Sequence, residues 1–440
     1  MITRFNRRDK REILLLLVII LQTFYIAEHV VFTFFCYSQG NKSSAKGWGT
    51  MKIAFFTDTF TPEINGVTNT LNKLSRYLET KGIQHAFFTA DYGTGGVKEP
   101  DILTGMKRVH RFPGVRISIS PESCLAFPRK SEITGLCDSF APDLVHVTTE
   151  FGIGNKGVKY ALSRGAPLIM SSHTDYCSCL KYHNLNALEP VVEKYLKWFY
   201  SFSDKTLVPS KHSLERLKRS GYKNLGIWSR GIDTSIFNAG FKSTELRSRL
   251  GAGDKFVYLY AGRLSPEKGL HMLLHAIGEI NRSFPERAVF IFTGDGPYAD
   301  NIRQADFKNV IMTGFKRGRD LSEIYASCDC FAFPSGTETF GNTALEAMAS
   351  GLPVAGVANG GVTDFLTHNY NSLLSGDGDE NAFTRNLVTI MESETLRNEL
   401  SKNAVTTALS RDWDGVFNSL IEDYSELLER RPAFERKRAS

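Results

Sequence analysis

Three turns in the second half of the chain bring together residue types that bind anions and hydroxyls. Gly262-Arg263-Leu264-Ser265-Pro266-Glu267-Lys268-Gly269 follows an apolar run that ends at Ala261. The first glycine lets the backbone approach a ligand, while Arg263 and Lys268 place two positive charges beside a helix start, which is the chemistry of a phosphate site. Taken alone, the same residues also describe two solvated charges at a helix end. Gly294-Asp295-Gly296-Pro297 sets a tight turn before a helix that opens on Pro. The third turn is the most specific. Between Pro334 and Glu346 the chain carries Glu338 ahead of a helix, Gly341 and Asn342 at its start with backbone N–H groups to offer, and Glu346 on its second turn. Ala344, Leu345, Ala347 and Met348 mark that turn as buried, so Glu346 does not read as an ordinary solvated helix residue. Eight residues rise about 12 Å if wholly helical. Acceptors for hydroxyls therefore flank a phosphate-attracting centre, matching the sugar, pyrophosphate and ribose of a sugar nucleotide in succession.

The elements that must position these turns alternate strand and helix. Apolar runs at Ile53–Phe56, Ala86–Phe88, Leu144–Val147, Leu168–Met170 and Thr206–Val208 form a first series, with a helix after Asn65-Gly66 built on Val67, Leu71, Leu74 and Leu78 and closed by Lys81-Gly82. A second series runs through Phe256–Tyr260, Val289–Phe292, Val310–Met312, Cys330–Phe333 and Val354–Val357. The spacing leaves room for crossovers, which predicts two parallel, doubly wound α/β sheets with ligands at the carboxyl ends of the strands. The expected organisation is an N-terminal extension at 1–50, a first Rossmann-like domain at 51–233, a polar linker at 234–254, a second Rossmann-like domain at 255–411, a helix at 412–428 returning to the first domain, and a basic tail at 429–440.

Composition narrows the classes. With 440 residues, 42% apolar and 23% charged, the chain is neither disordered, collagen-like nor a small disulfide scaffold. Its net charge of +6 resides in the two ends, leaving residues 51–428 at about −1, which argues against a nucleic-acid channel and for contact of the termini with an anionic membrane surface. The cysteines number 7, with C-x-C pairs at Cys177/Cys179 and Cys328/Cys330, and form no redox or zinc motif; a reduced, cytoplasmic protein is expected.

Taken in order, Phe60-Thr61-Pro62-Glu63-Ile64-Asn65-Gly66-Val67, Trp228-Ser229-Arg230-Gly231-Ile232-Asp233, Gly262 to Gly269, Gly294-Asp295-Gly296-Pro297 and Glu338-x7-Glu346 resemble the signature of the retaining family 4 glycosyltransferases of GT-B fold. The resemblance covers about Met51 to Leu428 and is nearest to the lipid-directed α-mannosyltransferases and sulfoquinovosyltransferases. It implies that Arg263 and Lys268 contact the donor pyrophosphate and stabilise the departing nucleoside diphosphate. Glu346 would bind the ribose and Glu338 the transferred sugar, with Gly294, Phe340, Gly341 and Asn342 completing the donor site. Gly66 would let the donor phosphates approach the first domain, and His173 would lie beside the reacting sugar; Asp175 falls where members vary. It further implies front-face substitution with retention, the leaving phosphate acting as base, with no cofactor and no metal, and a UDP- or GDP-sugar as co-substrate. A sugar-nucleotide 2-epimerase of the same fold and a non-catalytic nucleotide-sugar-binding subunit are the alternatives.

A lipid or glycan acceptor would fall to the first domain, where Arg108, His110, Arg111, Phe112, Arg116, Phe127, Arg129 and Lys130, and later Lys194, Lys197, Trp198, Phe199, Tyr200 and Phe202, interleave basic and aromatic side chains. The second stretch also fits a plain core helix. In the extension, Ile13–Phe35 is apolar enough to anchor in a membrane behind Arg4, Arg7, Arg8, Lys10 and Arg11. Equally, Lys46-Gly47-Trp48-Gly49-Thr50-Met51 requires a purine-rich message before an ATG, which resembles a ribosome-binding site and a start at Met51. Peripheral association with the inner face of the membrane is the expected location.

Overall fold

The computed structural model describes residues 51–63, 65–93, 106–117, 120–177, 180 and 185–430. The N-terminal extension, with its anchor or late-start reading, and residues 431–440 of the basic tail lie outside the described residues. Two compact units result: one holds the described chain up to Val208 with Leu217–Trp228 and the chain from Phe417, the other Pro209–Arg216 and Ser229–Val416.

The first unit is built on an eight-stranded sheet in the order β4-β3-β2-β1-β5-β6-β7-β8. Its strands are β1 (Lys52–Thr57), β2 (Gln84–Asp91), β3 (Lys107–Ile117), β4 (Ser120–Ala126), β5 (Leu144–Val147), β6 (Leu168–Ser171), β7 (Lys205–Val208) and β8 (Leu225–Ile227). Residues 53–57 are all buried, as expected of a parallel strand covered on both faces. Parallel register places Phe55 opposite Phe87 and Phe56 opposite Phe88, and the rings stack at 4.9 and 4.7 Å. The helix Gly66–Thr80 buries Leu71, Leu74 and Leu78 and is capped by Asn65, whose side chain accepts from the Thr68 N–H. The C-terminal helix Trp413–Arg430 gives this unit Tyr424, whose hydroxyl lies 2.7 Å from His146 Nδ1, and Asn418, bonded to Tyr77 at 2.5 Å.

The second unit carries six parallel strands in the order β11-β10-β9-β12-β13-β14. These are β9 (Phe256–Ala261), β10 (Ala288–Thr293), β11 (Val310–Gly314), β12 (Cys330–Phe333), β13 (Val354–Val357) and β14 (Ser372–Ser375). Tyr258 stacks on Phe290 at 4.8 Å across the β9–β10 pair, and one side of the sheet is sealed by Leu270, Leu273 and Ile277 of the helix Leu270–Ser283.

The structure corrects several expectations. The first sheet is not wholly parallel: β4 runs antiparallel to β3, because the few residues between them cannot form a crossover. The basic stretch Arg108–Arg116 is largely that same strand β3, where the guanidinium of Arg111 donates to the Thr61 carbonyl at 2.7 Å, Arg116 donates to the Tyr92 carbonyl at 2.9 Å, and Phe112 is core. The aromatic residues of the second stretch belong to the helix Glu189–Tyr200, whose Phe199 and Tyr200 are buried, so the core-helix reading holds there. Residues 234–254, expected as a linker, pack on the second unit: Phe237 meets Tyr325 edge-on at 5.5 Å, and Arg247 pairs with Asp329 at 3.0 Å. Cys124, Cys137, Cys177, Cys328 and Cys330 are free thiols. Among the described residues, no helix is long and apolar enough to cross a membrane.

Candidate active site

In the second unit the three turns leave the carboxyl ends of β9, β10 and β12. The first two turns are clamped together by backbone bonds: Gly262 N–H to the Thr293 carbonyl at 3.0 Å, Leu264 N–H to Asp295 at 2.9 Å and Tyr298 N–H to Leu264 at 2.8 Å. Gly294, at φ +138°, lies so close to this partner that a Cβ would stand 1.9 Å from the Gly262 carbonyl oxygen. Gly269, at φ +69°, ends the turn Pro266–Lys268, and a Cβ there would lie 2.3 Å from the Pro334 carbonyl oxygen. The lysine-bearing turn is thus seated directly on the third loop.

That seating brings two expected site residues together. Lys268 Nζ lies 2.7 Å from Glu338 Oε1, and each side chain keeps about a fifth of its surface exposed (21%). Arg263 is more open, with 56% of its side chain exposed, and pairs with Glu267 at 2.8 Å. Burial pushes the Glu267 carboxyl up, but the Ser265 hydroxyl, its own backbone N–H and the charges of Arg263 and Lys268 outweigh that and hold it below the usual range. The helix Asn342–Ala349 starts at Gly341, whose φ of +98° and contact with Val362, where a Cβ would stand 2.3 Å from Cγ1, suit only glycine. Its first intrahelical donor is the Ala344 N–H, bonded to the Gly341 carbonyl at 3.1 Å, so the amides of Gly341, Asn342 and Thr343 precede the ladder. Glu346, four residues on from Asn342, is half-buried and accepts from the Tyr325 hydroxyl at 3.0 Å. Burial and the Glu346 carboxylate hold the Tyr325 phenol well above its ordinary range. The Phe340 ring is buried against Phe365 at 5.2 Å, so what this residue can offer a donor is its backbone.

The expected residues of the first unit sit in a different setting. Gly66 is the exposed first residue of its helix, in a first turn without acidic side chains. The cap behind it is held in series, Asn65 Nδ2 donating to Glu63 Oε1 at 2.9 Å and the Tyr92 hydroxyl to Glu63 Oε2 at 2.6 Å. His173 follows β6 after Ser172, half-buried, with its ring edge-on to Trp228 at 5.5 Å. The ring of His146 also lies 5.4 Å from that of Trp228; it is fully buried and pushed down to about 3 by burial.

Residues 242–407 match the family described as glycosyl transferases group 1, and residues 64–236 match glycosyltransferase family 4. The chain belongs to the family 4 glycosyltransferases. A GDP-mannose-dependent alpha-mannosyltransferase of Corynebacterium glutamicum is 27% identical over 382 residues, or 86% of this chain and 89% of that one. The sulfoquinovosyl transferase SQD2 of Arabidopsis thaliana is 29% identical over 376 residues, covering 82% and 71%. An alpha-monoglucosyldiacylglycerol synthase of Streptococcus pneumoniae is 28% identical over 349 residues, covering 75% and 76%. Among solved structures, a sucrose-phosphate synthase from Thermosynechococcus elongatus superposes with a TM-score of 0.71 at 18% identity, over 87% of this chain and 100% of that one, and shares the GT-B fold.

The loops of the second unit hold together cations, amides ahead of the helical ladder and a helix N-terminus, an arrangement able to bind an anionic group. Two buried carboxyls of the first unit were not read from the sequence. Asp58, after β1, accepts from the Ala126 N–H at 3.0 Å, the Ile153 N–H at 3.1 Å and the Thr149 hydroxyl at 2.9 Å; burial raises it to about 7. Glu150, after β5, is raised to about 7 in the same way. The available signal was an acidic residue within three positions of the end of a largely apolar strand, where a solvated side chain is unusual. Among the described residues, no group of three or more His, Cys, Asp or Glu is placed to hold a metal ion.

Proposed function

We propose that this glycosyltransferase moves a hexose from a UDP- or GDP-sugar to a hydroxyl of a lipid or cell-envelope glycan at an anionic membrane surface, with retention and without a metal. The supporting observation is the Lys268–Glu338 ion pair at 2.7 Å on loops clamped by Gly269 and Gly294. A lysine already paired with a carboxylate can exchange it for a pyrophosphate, which frees Glu338 to accept from the sugar hydroxyls. Arg263, the more exposed cation, contacts the same pyrophosphate; the amides of Gly341 and Asn342 face anionic oxygens, and Glu346 takes the ribose hydroxyls. From the first unit, the family resemblance assigns His173 to the transferred sugar and the Gly66 backbone to the donor phosphates. Negative charge gathering on the leaving phosphate is met by Lys268, Arg263 and the helix N-terminus. The phosphate itself takes the proton of the acceptor hydroxyl on the face it leaves, so the anomeric configuration is kept without the second carboxylate a retaining hydrolase needs.

The names of the relatives bear on the acceptor and the donor: one is a synthase of a diacylglycerol glycolipid, and another is GDP-mannose-dependent. Purified protein is to be given radiolabelled UDP- and GDP-sugars with a membrane lipid extract. Label is expected in the lipid phase with wild type and not with Lys268→Ala, unchanged by EDTA. Equal donor consumption by wild type and Lys268→Ala would overturn the reading, and loss on chelation would remove its metal-free part.

A further inference from the structure

Glu150 is a buried carboxylate whose partners among the described residues include no cation. Its Oε1 accepts from the Tyr200 hydroxyl at 2.5 Å and its Oε2 from the Tyr176 hydroxyl at 2.8 Å. Its carbonyl accepts from Tyr195 at 2.6 Å and Asn155 at 3.2 Å, which fixes the backbone from which the carboxylate projects. Phe151 shields the site, edge-on to Tyr176 at 5.4 Å and stacked on Tyr195 at 5.5 Å. Tyr200 is itself buried at the end of the helix Glu189–Tyr200, which holds its hydroxyl in place. Tyr176 follows His173 by three residues.

We propose that Glu150 is the positioning residue of the loop that carries His173, gripping it through Tyr176 while Tyr200 anchors the other carboxylate oxygen. A carboxylate is suited to this because both tyrosines donate and an ionised Glu accepts on both oxygens. A buried charge that no cation among the described residues offsets is costly, and two hydroxyl donors at one point are best met by two charge-assisted acceptors. Among the described residues, the groups facing the carboxyl are the hydroxyls of Tyr176, Tyr200 and, on its carbonyl, Tyr195; the other buried acids of the unit, Asp58 and Glu63, are bonded elsewhere. With burial raising Glu150 to about 7, the side chain is protonated in mild acid, one oxygen becomes a donor, and one tyrosine contact is lost. The grip therefore tightens as pH rises through that value.

This inference rests on the reading of His173 as the residue beside the reacting sugar, and the test separates the two. Full-length wild type, Glu150→Gln, Tyr176→Phe and His173→Ala are assayed with UDP-glucose and GDP-mannose on phosphatidylglycerol vesicles containing diacylglycerol. Glu150→Gln and Tyr176→Phe are each expected to lower kcat by about tenfold or more with donor KM nearly unchanged, since loss of orientation alone costs factors of this order. Wild-type kcat should rise through about pH 7 and that limb should be absent in Glu150→Gln. Independently of turnover, the His173 ring resonances of wild type and Glu150→Gln, assigned against His173→Ala, should differ at pH 8 and converge at pH 5, where protonated Glu and Gln share charge and shape. Tyr176→Phe, which removes one hydroxyl, decides the matter where Glu150→Gln does not fold. Unaltered kcat in folded Tyr176→Phe with unaltered His173 resonances would overturn the proposal. Full activity in His173→Ala would overturn the reading beneath it, while the resonances would still report whether Glu150 holds the loop.

Discussion

The two units hold their polar groups in opposite ways. In the second, Lys268–Glu338 and Arg263–Glu267 are ion pairs on partly exposed loops, where each member can change partner. In the first, Asp58 and Glu150 are fully buried carboxyls bonded to amides and hydroxyls, with burial raising both to about 7. The contrast separates two tasks. A site that must admit and release a charged ligand keeps its charges near water, where pairs are weak and exchangeable. A scaffold that must fix a loop spends a buried charge on permanent bonds, at a cost in stability at neutral pH.

The largest effect should come from removing an exchangeable cation. Lys268→Ala is expected to lower kcat by about 10²–10³, the cost of losing one charge-stabilising contact in the transition state, with little change in Tm. A loss confined to Tm would reverse the assignment and make Lys268 part of the scaffold. Next is the clamp beneath it. Gly294→Ala forces a Cβ to within 1.9 Å of a carbonyl oxygen at φ +138°, and urea unfolding should show a loss of about 3 kcal/mol or more; a neutral result would mean the two loops are not rigidly joined.

The buried carboxyls should appear in the pH dependence of stability. For Glu150 the folded value, about 7, lies above the ordinary 4.5, so the folded state binds more protons between those values and this contribution declines as pH rises through about 7. His85 and His146, pushed down to about 4 and about 3 by burial, act in the opposite sense by destabilising the folded state as pH falls below their ordinary value. The difference between wild type and Glu150→Gln isolates the acid. It should shift in favour of Gln by about 1–3 kcal/mol between pH 5 and pH 8, and a constant difference across that range would contradict the buried-charge account.

These two tasks were not equally legible in the sequence. The ion-paired loops could be read because Arg263, Lys268, Glu338 and Glu346 stand at fixed distances from glycines and apolar strands. The strands missed were mainly those at or beside sheet edges: β3 alternates Lys107, Arg108 and Arg111 with apolar residues, β8 has only three, and β14 places buried serines at both ends. An edge strand is covered on fewer sides and so lacks the continuous apolar run that marked the central strands. Asp58 and Glu150 escaped notice because their partners, Ala126 and Ile153 for one and Tyr176 and Tyr200 for the other, come from distant segments. The pairing of Lys268 with Glu338 was also hidden, since it depends on the contact between Gly269 and Pro334.

Smaller effects refine the comparison. Glu346→Ala is expected to raise donor KM by about tenfold, the loss of a hydrogen bond to a charged group, with kcat less affected. Arg263→Ala should change stability by less than about 1 kcal/mol, because its pair is exposed, yet should weaken donor binding; a stability loss as large as that of Gly294→Ala would place Arg263 with the scaffold.

The central claim, that Lys268 on its clamped loop serves the leaving nucleoside diphosphate, is met most directly by pre-steady-state transfer from saturating radiolabelled donor to lipid vesicles. Wild type should transfer label in a rapid single turnover, and Lys268→Ala should bind donor but transfer about 10²–10³-fold more slowly. Equal single-turnover rates for the two proteins would contradict it.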